Sequence, residues 1–257
     1  MRTTRALFRI LLLVLWTVPF MLICAVGSLF QQRAPLRHTA WRGRILNRCA
    51  RGIARLAGMR IQVKGTPPQP PFLLVANHLS YFDMILLQTQ APCIFVAKAE
   101  VKTWPMLGWM TRACGTLYID RTKRRDIFRI NALIDEALSN GEGIVFFPEG
   151  TTSKGDKVYP FKAALLDLAA RRRYAVTSAT LRYQTPPGET PAHLAVCWWG
   201  ETTLAEHVPN VLKLPYFEAI LVFGNESIQE SDRKALARKL THQVQSYFSP
   251  VVTSEPS

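Results

Sequence analysis

The segment "LVANHLSYFD", residues 74–83, carries an apolar run into a polar pair, Asn77 and His78, and then reaches Asp83. Asp83 is the first acidic residue of the chain and lies five positions after the histidine. A short apolar run that ends in polar residues is typical of a buried strand. Because ligands bind at the carboxyl ends of strands in α/β sheets, we expect His78 at a strand end and Asp83 in the first turn of the next helix.

Short apolar runs alternate with helical patterns around this segment. Apolar stripes at helical spacing lie within residues 126–140 and 231–248, and Asn140-Gly141 provides a stop after the first. Strands that alternate with helices predict an α/β domain with a largely parallel mixed sheet flanked by helices. The runs that predict strands are residues 72–76, 93–97, 116–119, 144–147, 176–181, 195–198 and 219–223.

The basic charge of the chain is concentrated at its start. Among 257 residues with a formal net charge of +14, residues 1–64 hold 12 of the 32 Lys and Arg and no Asp or Glu. The remainder is nearly neutral, with 20 basic and 18 acidic residues. A basic excess that adjoins an apolar segment and is missing from the folded domain argues against a nucleic-acid partner and for a membrane surface.

Residues 10–30 form a run of 21 residues without a charge, which as a helix would be roughly 31 Å long, about the thickness of a bilayer core. Three arginines precede it and eight follow within residues 33–60, so we expect the following domain on the cytoplasmic face, that of the inner membrane in a bacterium. A cleaved signal peptide ending near Ala25-Val26-Gly27 and a buried core helix are alternatives. Pro19 leaves spanning and re-entrant forms open.

A second, basic amphipathic helix is predicted at residues 41–56. Trp41, Ile45, Cys49 and Ile53 recur every four residues, and arginines fill the other faces. Such a helix suits an anionic membrane surface, while packing on the folded domain is the alternative. We therefore divide the chain into a membrane-anchoring segment, a folded domain and a loose tail, at residues 1–64, 65–250 and 251–257.

His78 and Asp83 together suit general-base chemistry. A histidine titrates near neutral pH, and an aspartate on its second ring nitrogen orients it. The sequence contains no Gly-x-Ser-x-Gly motif and no paired catalytic cysteine. The pair alone is weak evidence, since chance and helix capping produce the same spacing. If it is catalytic, the nucleophile belongs to the substrate, and a hydroxyl is the natural choice.

Two further strand ends carry residues suited to binding. "GTLYIDR", residues 115–121, delivers Arg121, which can hold a phosphate, and "VFFPEGTTS", residues 145–153, delivers Glu149 and Gly150. A solvated charge run and an ordinary turn are the alternatives. The five cysteines and five histidines are scattered, which indicates reduced thiols and no metal site.

Three blocks, in this order and spacing, resemble the glycerolipid or lysophospholipid acyltransferases, which include the 1-acylglycerol-3-phosphate acyltransferases. "NHLSYFD" is similar to the block Asn-His-x-Ser-x-x-Asp, with Asn77 and Ser80 at its supporting positions. "GTLYIDR" and "FPEGTTS" are similar to the second and third blocks. The similarity extends over residues 64–223.

The resemblance implies a membrane-associated O-acyltransferase. His78 would deprotonate the free hydroxyl of a lysolipid, oriented by Asp83, and the oxygen would attack the thioester of acyl-CoA or acyl carrier protein. The expected acceptor is 1-acylglycerol-3-phosphate, which gives phosphatidic acid. Donor and acceptor are then co-substrates at a lipid membrane, with no further cofactor. The residues expected to bind the acceptor are Arg121, Glu149, Gly150, Thr151 and Lys98.

Two positions depart from the family pattern. Thr152 stands where the third block commonly has an arginine that helps to hold the acceptor's phosphate, and a neutral hydroxyl cannot replace a bidentate cation. Ser178 stands near the proline of a fourth block. Thr152 leaves a lyso-ornithine lipid or another lysophospholipid open as acceptor, whereas Ser178 bears on the alignment of the fourth block. A non-catalytic lipid-binding protein is a further alternative.

Overall fold

The computed structural model describes residues 2–28, 35–104, 107–120 and 123–252. Its strands are β1 (Met59–Lys64), β2 (Phe72–Ala76), β3 (Ile94–Lys98), β4 (Leu117–Ile119), β5 (Gly143–Phe146), β6 (Val176–Gln184) and β7 (Phe217–Phe223). Its α-helices are α1 (Arg2–Ser28), α2 (Pro35–Ala57), α3 (Phe82–Gln90), α4 (Leu107–Ala113), α5 (Arg124–Ser139), α6 (Asp167–Arg172), α7 (Ala192–Ala195), α8 (Leu204–Leu212) and α9 (Arg233–Tyr247).

The strands form one sheet in the order β1-β7-β6-β2-β5-β3-β4. Strand pairing is parallel except between β6 and β7, so β1 and β7 run opposite to the other strands. The carboxyl ends of β2, β3, β4, β5 and β6 therefore lie at one edge of the sheet, together with the starts of β1 and β7. This edge carries the loops that contain His78 and Glu149.

The predicted α/β class with a largely parallel mixed sheet is confirmed, and the two helical stripes correspond to α5 and α9. One predicted strand is wrong. Residues 195–198 instead hold the end of the short helix α7 and a turn. That run is apolar because Ala195, Val196 and Cys197 are buried in the hydrophobic core, although they do not pair in the sheet. Strand β1 was not predicted. It is an edge strand with the polar residues Arg60, Gln62 and Lys64, so it lacks the apolar run that predicts a buried strand.

Two hydrophobic clusters cover the two faces of the sheet. One joins the sheet to α2, α3, α7 and α8, and also includes Ala6 of α1. The other joins it to α5, α6 and α9. In α5 the buried stripe of Ile130, Ile134 and Ala137 supplies the contact. The helix ends before Gly141, whose φ of 76° few other residues adopt. The N-terminal helices therefore lie on one face only.

Helix α2 packs on the folded domain and does not present all of its arginines to a surface. Arg42 is buried and forms an ion pair with Glu142, which also accepts a hydrogen bond from Thr39 Oγ1 at 3.0 Å. Asn47 Nδ2 donates to Gln88 O at 2.7 Å. The expectation that the arginines of this region face anionic lipid is therefore wrong for Arg42, because its partner is a carboxylate of the domain.

Helix α1 is long and apolar enough to cross a membrane, and only 17% of its most apolar window is buried. It also contacts the domain at both of its ends. The Arg9 guanidinium donates to backbone carbonyls, at 2.7 Å to Leu214 and 2.9 Å to Pro215. Near its other end, Met21 and Cys24 pack with a cluster on α2 and α4. The helix therefore lies along the domain while its outer face stays apolar and exposed.

Candidate active site

His78 and Asp83 meet at the carboxyl end of β2. His78 Nδ1 lies 2.7 Å from Asp83 Oδ2, and the imidazole stacks on the Phe147 ring with centroids 4.0 Å apart. The Asp83 side chain is fully buried, whereas 19% of the His78 side chain is exposed. Because the aspartate accepts from Nδ1–H, Nε2 is the nitrogen that can take up a proton. The pair thus has the geometry of an oriented general base.

The Asp83 carboxylate is held from several directions. Its Oδ2 also accepts the backbone N–H groups of Leu79 and Ser80, at 2.7 and 3.0 Å. Its Oδ1 accepts the Tyr183 hydroxyl at 2.6 Å. Burial, with the Asp83 charge as a second cause, raises the pKa of Tyr183 well above its usual value, so the phenol stays a donor. These donors fix the carboxylate that orients His78.

The loop that carries His78 is tied to two neighbouring segments. The buried Asn77 amide pairs with the backbone of Leu181 on β6, donating to its carbonyl at 3.0 Å and accepting its N–H at 2.8 Å. Ser153 N donates to His78 O at 3.0 Å. Ser80 is fully buried, and its hydroxyl has no partner among the residues that the structure describes. The Asn77 side chain therefore holds the loop against β6, whereas Ser80 contributes its backbone N–H to Asp83.

Tyr183→Phe should lower kcat up to roughly 10-fold, because the Tyr183 hydroxyl holds the Asp83 carboxylate in the position from which it orients His78, and a hydrogen bond to a charged group is worth about 1.5–3 kcal/mol. Without this donor, Asp83 would interact more strongly with a protonated His78. The acid limb of the pH–kcat/KM profile should therefore move to higher pH. Steady-state kinetics from pH 5 to 9 would measure both effects.

Tyr174→Phe is the matched control, since the Tyr174 hydroxyl donates to Asp135 at 2.8 Å on the opposite face of the sheet. If Tyr183→Phe changed kcat and the pH profile no more than Tyr174→Phe does, the positioning role of Tyr183 would be wrong.

Glu149 and Gly150 lie in the loop after β5, beside the pair of His78 and Asp83. Glu149 is 3% exposed, and its carboxyl lies close to the backbone N–H groups of His78 and Tyr159, although neither oxygen makes a well-formed hydrogen bond within the described part of the chain. Burial raises the pKa of Glu149 to about 9, opposed by the backbone amides of His78 and Tyr159 and reinforced by Asp83. The carboxyl is therefore neutral at pH 7 and able to donate a hydrogen bond. Gly150 has a φ of 80°, which explains the glycine.

The other residues expected to bind the acceptor are distributed along the same edge. Lys98 ends β3 with an exposed side chain, and Thr151 is exposed in the loop after β5. Thr152 is half-buried and precedes Ser153, the residue bonded to the His78 backbone. Arg121 lies outside the described residues. The roles of these residues in binding remain predictions.

Sequence reasoning did not identify Tyr183 or the role of Phe147. Tyr183 lies 100 positions from Asp83, and only the parallel pairing of β2 with β6 brings the two together. Its burial pattern in β6 resembles that of an ordinary core residue. Phe147 was part of a predicted strand, and its apolar character alone gave no sign that it supports the imidazole.

A sequence profile of the Acyltransferase family matches residues 60–182. The chain is 33% identical over 205 residues to the 1-acyl-sn-glycerol-3-phosphate acyltransferase of Neisseria meningitidis serogroup B, covering 79% of this chain and 80% of that protein. It is 30% identical over 244 residues to the lyso-ornithine lipid O-acyltransferase of Brucella abortus, covering 88% and 91%.

A solved structure has the same fold. The crystal structure of the 1-acyl-sn-glycerophosphate acyltransferase PlsC from Thermotoga maritima matches with a TM-score of 0.60, over 96% of this chain and 97% of that chain. Its sequence identity is 21%. This likeness supports the α/β sheet with its N-terminal helices, and the curated relatives support the chemistry.

Proposed function

Since the chain belongs to the acyltransferase family of these relatives, we propose that it moves a fatty acyl group from acyl-CoA or acyl carrier protein to the free hydroxyl of a membrane lysolipid. The observation that carries the proposal is the His78–Asp83 pair, with a fully buried aspartate bonded to Nδ1 at 2.7 Å. Family membership makes acyl transfer the reaction, and the geometry of this pair supports His78 as the base.

In the proposed reaction, His78 Nε2 takes the hydroxyl proton as the acceptor oxygen attacks the thioester carbonyl. The tetrahedral intermediate then collapses, the carbon–sulfur bond breaks, and the sulfur leaves as a thiol after taking the proton from His78. Asp83 stabilises the imidazolium between these steps. Burial, with the Asp83 charge as a second cause, raises the pKa of the Cys197 thiol, so this cysteine is a poor nucleophile. Because the acceptor hydroxyl attacks the thioester itself, the acyl group passes directly to the acceptor and no acyl-enzyme forms.

The acceptor that we propose first is 1-acylglycerol-3-phosphate, with phosphatidic acid as product. This acceptor is named for relatives from Neisseria meningitidis and Neisseria gonorrhoeae that are 33% and 34% identical to the chain. Glu149, neutral at pH 7, would not repel a phosphate, and Arg121 would supply the cation. We place the domain on the cytoplasmic face, where the acyl donor is available.

A lyso-ornithine lipid is the second candidate acceptor, and Thr152 favours it. A threonine in this loop gives no charge to bind a phosphate. Relatives from Rhodobacter capsulatus, Brucella abortus and Pseudomonas aeruginosa carry that lipid in their names, at identities of 33%, 30% and 34%. Both candidates share the catalytic pair and differ only at the head group.

A head-group comparison tests the proposal. Full-length protein in lipid nanodiscs would receive labelled acyl-CoA with lysophosphatidate, lysophosphatidylcholine or lyso-ornithine lipid, with His78→Ala as the blank. We expect the highest kcat/KM with lysophosphatidate, and we expect Thr152→Arg to raise it several-fold further. A preference for lyso-ornithine lipid would make the second candidate the acceptor. Failure to acylate any of the three, with acyl-CoA or acyl carrier protein, would contradict the function.

A further inference from the structure

An aromatic surface borders the catalytic loop on the side of α7 and α8. Trp198 N donates to Leu79 O at 2.8 Å, directly beside His78. The Trp198 ring lies 6.1 Å from the ring of Tyr81 and 6.2 Å from that of Trp104, measured between centroids. We call the surface formed by Tyr81, Trp104, Leu194, Trp198 and Trp199 the aromatic rim.

Three members of the aromatic rim are exposed although they are apolar. Trp104 is 37% exposed, Trp199 39% and Leu194 56%. The Trp199 indole N–H donates to His193 O at 2.7 Å, and the Trp198 indole N–H donates to Thr202 O at 2.7 Å. The backbone thus satisfies both polar groups and fixes both rings. A fixed aromatic surface whose polar atoms already have partners loses little when it leaves water.

The aromatic rim adjoins the start of the N-terminal helix. Arg2 of α1 pairs with Glu189, three residues before α7, at 3.3 Å. Arg9 donates to the carbonyls of Leu212 at the end of α8 and of Leu214 after it. The nearby turns of α1 expose Leu7, Phe8, Leu11 and Leu15. Isolated exposed apolar side chains are common, but an extended apolar surface indicates an interaction.

We propose that the aromatic rim enters the interfacial region of the bilayer beside α1, so that the acceptor lipid reaches His78 from the membrane without crossing water. Tryptophan and tyrosine favour that region, where an apolar ring and a polar environment meet. If the lipid had to cross water, each methylene exposed on the way would reduce its equilibrium concentration there about fourfold relative to the bilayer. The inference rests on the proposed function only in taking a lipid as the acceptor.

The opposite face of the sheet provides a matched control. Phe128 on α5 is 61% exposed, more than Trp199, and its helix belongs to the cluster on the face away from α1. Phe128→Ala therefore removes an exposed aromatic side chain without touching the aromatic rim. Leu194→Gln provides a second change in the aromatic rim, because an exposed leucine can be replaced there with little effect on folding.

The test compares two acceptors with one head group, using full-length protein on vesicles. One is a long-chain lysolipid within the vesicles, and the other is a short-chain analogue dissolved below its micellar concentration. We expect Trp199→Ala and Leu194→Gln each to raise the KM for the vesicle acceptor about fivefold. The kcat/KM for the dissolved acceptor, and both values for Phe128→Ala, should stay within twofold of the unaltered protein.

Quenching of tryptophan fluorescence by brominated lipid measures membrane entry without turnover. Trp199→Phe should lose part of the quenching seen in the unaltered protein if Trp199 contacts lipid. Equal quenching, or an equal loss of activity with both acceptors, would overturn the inference. If the unaltered protein acylated neither acceptor, the proposed function would fail, and the quenching result would still decide the position of the aromatic rim.

Discussion

His78→Ala should lower kcat roughly 10²- to 10⁴-fold, the usual contribution of a general base. The fold positions the histidine through a 2.7 Å bond to a buried aspartate and through a stacked phenylalanine. Alanine removes the proton acceptor and leaves the Asp83 carboxylate with its backbone and Tyr183 donors. The KM for the lysolipid should change little, because the expected head-group contacts lie on other loops.

Steady-state rates with labelled acyl-CoA would measure this loss, and a thermal melt would show that the variant still folds. His242→Ala is the matched control, since His242 is an exposed histidine on α9. Asp83→Asn should also lose activity, because an amide cannot stabilise the imidazolium. Retention of more than a few per cent of kcat by His78→Ala would mean that another group takes the proton.

Arg42→Ala should destabilise the protein by about 3–5 kcal/mol, the cost of breaking a buried ion pair from one side. The variant leaves Glu142 buried without its cation, with only the Thr39 hydroxyl as a partner of its side chain in the described residues. Burial already raises the pKa of Glu142, and Arg42 opposes that rise. In a protein of this size the melting temperature should fall by about 10 °C.

The sign of the pH dependence provides an independent check. Without Arg42, the folded-state pKa of Glu142 rises further above its unfolded value. The folded protein must then either protonate the Glu142 carboxyl or keep its charge buried without a partner, and both cost free energy of folding. This cost increases as the pH rises from the unfolded-state pKa of Glu142 to its folded-state pKa. The deficit of Arg42→Ala should therefore be larger at pH 8 than at pH 5.

Thermal melts of full-length protein in detergent would measure the deficit at both pH values. Arg48→Ala is the control, because Arg48 is an exposed arginine on the same helix. The double variant Arg42→Met with Glu142→Leu should recover most of the loss, because it removes both charges together. A deficit that did not change with pH, or an equal deficit in Arg48→Ala, would contradict this account of the pair.

The sequence predicted the contact between His78 and Asp83 because its geometry is local. His78 and Asp83 are five residues apart, and a strand followed by a turn and a helix suffices to bring them together. The helical stripe in α5 was predicted for a similar reason, since its period appears within a single segment. Local patterns of this kind depend on the covalent spacing of residues, which the sequence states directly.

Contacts between distant segments were not predictable in this way. The bond from Tyr183 to Asp83 depends on the order of strands in the sheet, and a tyrosine in a strand is ordinarily a core residue. Arg42 looked like its neighbours on α2, and its burial follows from the position of Glu142, 100 residues away. The apolar run at residues 195–198 has the composition of a strand, although the chain there forms a turn.

The docking of α1 places a constraint on synthesis at the ribosome. Arg9 is made 206 residues before Pro215, whose backbone carbonyl accepts a hydrogen bond from the Arg9 guanidinium. Among the strands that the structure describes, β1 pairs only with β7, so it too stays unpaired until residues 217–223 emerge. Chains interrupted before that point would carry an open strand edge and an undocked apolar helix, both of which promote aggregation. Helix α1 and strand β1 therefore reach their places together, and only after β7 has been made.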